Sequence, residues 1–221
     1  MKLINTIEMN PLRYFKEEVG LPEIDDYPNY KEWFIKWKEV VSRLNFNFET
    51  IEKESYLVDI ETIDDETLKM IVEAKIEDME SDESEEDVFV MPFDGGIVLK
   101  MENEILIQPN CCGDISNIED WKNIFKNPSS EWRDIWIGHP WVLYKTENGK
   151  VCFSEYTESN IEDIENIEIV AKVDESELKA ELEKVIQHQI NFKNRILSIF
   201  KMMNYKYPEK VSQQLAGVSR S

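Results

Sequence analysis

From residue 88 to residue 173 the chain repeats one device: a short β-prone run, a tight polar turn, then another run. Val88–Met91, Ile97–Met101 and Ile105–Gln108 are separated by Asp94-Gly95-Gly96 and Glu102-Asn103-Glu104. Trp141–Thr146 and Lys150–Tyr156 flank Asn148-Gly149, a pair that accepts positive φ and predicts a two-residue hairpin of type I′. Ile167–Val173 reads as one more strand, while Trp132–Ile137 is ambiguous. Turns this short join antiparallel neighbours only, because parallel pairing needs a crossover of about a dozen residues.

Helical patterns bracket that strand-rich middle. Met9, Leu12, Phe15 and Val19 share a helical face that ends at Gly20 and Pro22, and residues 21–30 read as a loop. A second helix is predicted from near Asn29 to Leu44, with Trp33, Phe34, Trp37, Val40 and Val41 on its apolar stripe. Tyr56–Ile60 reads as a strand. Asp64-Asp65-Glu66 then opens a helix, where carboxylates favour the dipole. Asn117 reads as the N-cap of a helix reaching Lys126. From Asp174 to Asn204, Leu178, Leu182, Val185, Ile186, Ile190, Ile196, Ile199, Phe200 and Met203 recur at three- and four-residue steps. The expected architecture is α+β: a mainly antiparallel sheet of about six strands, N-terminal helices and a long C-terminal helix. The expected organisation is a single domain over 1–210, with 211–221 a small, polar, disordered tail.

Charge narrows the function classes. The 221 residues carry 46 acids and 25 Lys/Arg, a net of −21. Phosphate backbones need a clustered basic face, so direct nucleic-acid binding is not expected, nor is attachment to anionic membranes. Between Glu49 and Glu104 there are 20 acids and 4 bases, and 8 of the 11 residues in 77–87 are acidic. A field of that kind draws a basic protein partner. Seven glycines form no phosphate-binding pattern, no stretch has the length of a signal or membrane segment, and the three cysteines are odd in number. A cytoplasmic protein without cofactor or metal is expected, its oligomeric state open.

Two sets of residues are candidates for chemistry or contact. Cys111 and Cys112 lie about 25 residues before His139, and a Cys–His pair supports a hydrolase or transferase if the fold joins them. The bland alternative is a loop histidine and small buried thiols. The second set is for partner binding. It comprises the acids Glu77, Asp78, Glu80, Asp82, Glu83, Glu85, Glu86 and Asp87, with Trp132 and Trp136 from a stretch of four tryptophans within 21 residues. Tryptophan is enriched at binding hot spots, although it fills cores equally well. A third reading, a scaffold paired through the long helix, rests on that helix's apolar face alone.

Three segments carry a resemblance. Phe15-Lys16-Glu17-Glu18-Val19-Gly20-Leu21-Pro22 follows a helical start, Asp94-Gly95-Gly96 sits in the strand-rich middle, and Ile107-Gln108-Pro109-Asn110-Cys111-Cys112-Gly113-Asp114 precedes a Trp-containing helix and the Trp141–Tyr156 hairpin. In layout, size and acidity over about residues 10–175, the chain resembles bacterial immunity proteins of polymorphic toxin systems, such as the SUKH superfamily. The resemblance implies a cytoplasmic α+β protein that binds and neutralises a cognate toxin, and it assigns no binding residue. The long C-terminal helix lies outside it.

Overall fold

A computed structural model describes residues 1–15, 20, 22–44, 46–52, 55–77, 88–164 and 166–218. The chain is α+β, with two four-stranded antiparallel sheets in place of the single sheet of about six strands. In the first, β1 (Lys2–Glu8) lies between β2 (Leu57–Asp59) and β3 (Gly95–Met101), and β4 (Glu104–Ile107) folds back on β3. The second is a meander of β5 (Arg133–Ile135), β6 (Trp141–Glu147), β7 (Lys150–Thr157) and β8 (Ile169–Asp174). At the β6–β7 turn, Asn148 and Gly149 have φ of 53° and 71°, the positive values that a type I′ turn demands.

Among the described residues there are five α-helices: α1 (Tyr30–Val41), α2 (Asp65–Glu77), α3 (Ile118–Lys126), α4 (Glu175–Met202) and α5 (Pro208–Leu215). Helix α4, about 42 Å long at 1.5 Å per residue, unites the two sheets. Its Leu178, Leu182 and Val185 join a cluster with Trp121 of α3 and Val151 and Phe153 of β7. Two turns later, Phe192, Ile196 and Phe200 join a second cluster with Ile71 and Val72 of α2, Ile7 of β1 and Val211 and Leu215 of α5. Gln189 separates the two clusters. Its buried side-chain amide donates to the carbonyls of Ile115 (2.9 Å) and Ala216 (2.6 Å), tying the end of α5 to the turn before α3.

Several expectations fail for physical reasons. The chain opens with a strand, because Leu3, Ile4 and Ile7 of β1 are all buried and the strand is covered on both faces. The helix expected over 9–19 is a single 3-10 turn at Pro11–Tyr14, with residues 16–19 outside the described set. Asn117 occupies the N-cap position of α3 as expected, but its side chain makes no capping hydrogen bond. Asp114 caps the preceding 3-10 turn, and the buried Asn117 side chain accepts the Ile97 amide instead. No strand forms at Val88–Met91. Residues 211–218 are not a loose tail: Val211, Leu215 and Ala216 are fully buried, and an 8-residue helix is too short to show its face by periodicity.

Candidate functional site

The segments around the cysteines and around His139, 25 residues apart in sequence, are clasped backbone to backbone. The His139 amide donates to the Cys111 carbonyl (2.8 Å), the Asn110 amide to the Ile137 carbonyl (2.8 Å), and the Asn110 side chain to the Pro140 carbonyl (2.8 Å). Two glycines allow the approach. A Cβ on Gly113 would lie 2.6 Å from the Ile137 carbonyl oxygen, and one on Gly138 would lie 2.5 Å from the carbonyl oxygens of Asn110 and Cys111. The peptide bond between His139 and Pro140 is cis.

The clasp brings Cys111, Cys112 and His139 to one exposed surface without making them a catalytic pair. The two sulfurs lie 3.4 Å apart and interact with each other. That hydrogen bond, together with the neighbouring thiol's charge, pushes the Cys111 thiol above its ordinary pKa, opposite to what a nucleophile needs. Among the described residues, no hydrogen bond joins either sulfur to the His139 ring. The imidazole packs edge-on against two indoles instead, with centroids 4.9 Å from Trp136 and 5.2 Å from Trp141. Cys152 is fully buried in β7.

Those indoles form the site's main feature. Trp136 and Trp141 stack with centroids 6.1 Å apart at 29°, and Trp136 is 41% exposed. They wall an open pocket of about 420 Å³ whose other lining is Asp134, Ser159, Asn160, Ile161 and Glu162. Two carboxylates face it and no basic side chain does. The Asp120 carboxyl on α3 feels the charge of the pocket's Asp134: it is pushed up, first by burial and then by Asp134, Glu119 and Asp114. Of these acids Asp134 lines the pocket, while Glu119 is paired with Lys122 and Lys126 and Asp114 caps the turn before α3.

Of the partner-binding residues read from the sequence, only Glu77, Trp132 and Trp136 are among the described residues. Asp78, Glu80, Asp82, Glu83, Glu85, Glu86 and Asp87 lie outside the described residues, and Glu77 is the exposed last residue of α2. Trp136 is at the pocket. Trp132 is half-buried, with Lys145 Nζ over its ring at 5.2 Å, so the protein's own cation covers that face. Sequence reasoning missed Trp141, Asn160 and Glu162 as pocket residues; the one local sign of that loop is that 160–163 repeats the Asn-Ile-Glu-Asp of 117–120.

Two other openings serve as comparison. A cleft of about 230 Å³ holds Glu8, Arg13, Tyr14, Lys75 and Asp94. Burial raises the Glu8 carboxyl and lowers the Lys75 ammonium there, but two acids face two bases and the cleft carries its own counter-charges. A larger groove of about 470 Å³ runs under α1, lined by Phe34, Trp37 and Tyr56 among others. Phe34 and Trp37 stack on each other along α1 (5.6 Å), and the Trp37–Tyr56 edge contact (5.5 Å) ties α1 to the segment before β2. The Trp136–Trp141 pocket differs from both in pairing exposed aromatic surface with uncompensated negative charge.

Among the described residues, no group of three or more His, Cys, Asp or Glu could hold a metal ion, and no helix is long and apolar enough to cross a membrane. These features define an α+β chain with an acidic, aromatic surface pocket. Comparison with protein families, curated proteins and solved structures finds no match to it.

Proposed function

We propose that this chain is a non-enzymatic, cytoplasmic binding protein of the immunity type, which neutralises a toxin by docking on its basic surface. A nuclease toxin is the most concrete target, since a cleft built for a polyanion is itself basic. One observation carries the reading: the exposed Trp136 indole, stacked on the partly buried Trp141, shares its pocket with the carboxylates of Asp134 and Glu162 and with no basic side chain. Indoles anchor interfaces through area that costs little entropy, and acids around them select a positive partner. The net charge of −21 supplies the long-range field.

The test is affinity capture from lysate of the source cells with wild type and a Trp136→Ala variant, eluted by rising salt. The expected result is one basic protein that is released by salt and lost from the variant. Its expression alone should arrest growth, and co-expression with this chain should restore it. Capture that is indifferent to salt, or a captured protein whose toxicity this chain leaves unchanged, would overturn the proposal.

A further inference from the structure

We infer that the Trp136–Trp141 pocket receives the guanidinium of an arginine side chain, presented by the basic partner. The inference rests on the docking reading and names what that surface grips. The pocket offers an indole face exposed to solvent, a second indole stacked behind it, and carboxylates from two segments, Asp134 of β5 and Glu162 of the 159–162 loop. A cation over an indole is attracted by the ring's negative face, and tryptophan is the best of the aromatic partners.

Arginine fits this arrangement better than lysine. Its planar, weakly hydrated guanidinium stacks on a ring while its edge donates in parallel to a carboxylate, whereas an ammonium is a strongly hydrated point charge. The electrostatics lean the same way. Asp134 and Glu162 line the pocket with no basic side chain among its lining residues, and the Asp134 charge adds to burial in raising the Asp120 carboxyl. Anions are excluded on the same ground. A neutral sugar would also stack on an indole, but it would draw nothing from this accumulated charge.

The protein already holds one contact of the proposed kind. Lys145 Nζ sits 5.2 Å from the Trp132 centroid, so Trp132 is occupied by an internal cation while Trp136, four residues on, faces solvent. Of the two tryptophans, Trp136 is the one free to take a cation from outside.

The test is titration of the full chain with N-acetyl-arginine amide at low salt, read on the indole N–H resonances. The buried Trp121 serves as an internal reporter of folding. The expected result is saturable shifts at Trp136 and Trp141 with none at Trp121, and severalfold weaker binding of N-acetyl-lysine amide. Trp136→Ala should lose the shift at Trp141, Trp136→Phe should keep part of it, and Asp134→Asn with Glu162→Gln should weaken binding severalfold. Saturable shifts with methyl glucoside but not arginine amide would overturn the inference, as would lysine amide binding as tightly as arginine amide. The two proposals fail separately. A basic protein captured equally by wild type and Trp136→Ala would remove the pocket and leave the docking, whereas arginine amide bound at the indoles with no basic protein captured would remove the docking and leave the pocket.

Discussion

The clasp between the 110–113 and 137–140 segments makes a quantitative demand on two glycines, for which Gly149 of the β6–β7 turn is the control. Gly138 carries both possible penalties. Its φ of 102° disfavours any side chain, and a Cβ there would meet carbonyl oxygens at 2.5 Å that belong to backbone and cannot swing away. Gly113 carries only the contact, at 2.6 Å from the Ile137 carbonyl. Gly149 carries only the positive φ of 71°, with nothing within 4 Å of the added carbon. Strain of the left-handed kind costs about 1–2 kcal/mol per residue. Forcing an extra carbon into packed backbone costs about 1–3 kcal/mol. Gly149→Ala is thus expected to lose about 1 kcal/mol, Gly113→Ala about 2, and Gly138→Ala about 3. For a chain of this size that is a fall in Tm of roughly 6–12 °C for Gly138→Ala. Urea unfolding and thermal melts of the three variants measure the order directly. If Gly138→Ala is no less stable than Gly149→Ala, the close approach of the two segments is not real, and the site built on it falls with it.

Three further outcomes are expected. Gln189→Leu strands the buried carbonyls of Ile115 and Ala216, so after the partial gain from leucine burial it should destabilise by about 2 kcal/mol in urea unfolding; unchanged stability would dissolve the polar seam between the two core clusters. Asp174, the N-cap of α4, has a carboxyl lowered to about 2, first by the Ser176 hydroxyl and then by Lys150 and the Glu177 and Ser176 amides. A depressed carboxylate stabilises the fold fully above its unfolded pKa of about 3.9 and loses that contribution as pH falls through the folded value. Asp174→Asn keeps a capping side chain, so the Tm gap between wild type and variant should close between pH 4 and pH 2, and a gap constant over that range would contradict the capping charge. Cys111 should alkylate more slowly near neutral pH than an unperturbed exposed thiol and should speed up in Cys112→Ala. Cys152, at 0% exposure, should react only on unfolding. Fast labelling of Cys111 in the wild type would revive the Cys–His enzyme.

How far the sequence could be read depends on what each element draws its stability from. The Asn148-Gly149 hairpin and the α4 stripe were legible because turn chemistry and a long 3.6-residue period are local signals. β1 was not, since its neighbours β2 and β3 lie about 50 and 90 residues away and supply the burial that makes Lys2–Glu8 a strand. Two sheets read as one because the boundary between them is a matter of which strand pairs with which, and turn length says nothing of that for the segment joining β4 to β5. The site was half legible. Cys111, His139 and Trp136 stood out by residue type, but their juxtaposition depends on Gly113 and Gly138, whose need for bare backbone appears only when the other segment is in place. Glu162 was one acid among 46.

Asp120, whose carboxyl feels the charge of the pocket's Asp134, is a feature that folding alone does not account for. Asp120 has its carboxyl raised by burial first, with Asp134, Glu119 and Asp114 adding to it. A raised carboxyl means that the folded chain binds its proton more tightly than the unfolded chain does. Stability therefore falls as pH rises from the unfolded pKa of about 3.9 through the raised folded value, and above that window the charged form is a constant burden on the fold. A chain selected for stability alone would shed such a group, because charge optimisation of this kind is easily reached by substitution. Strain of this sort is characteristic of surfaces whose partner supplies what is missing. A cation seated between Asp134 and Glu162 would draw the Asp120 pKa back down, so binding would release a proton and tighten as pH rises through the same window. Asp120→Asn should then stabilise the free protein at neutral pH and flatten the pH dependence of arginine amide binding. If the variant is less stable than wild type at pH 7, Asp120 serves the core, and its repulsion by Asp134 has no functional reading.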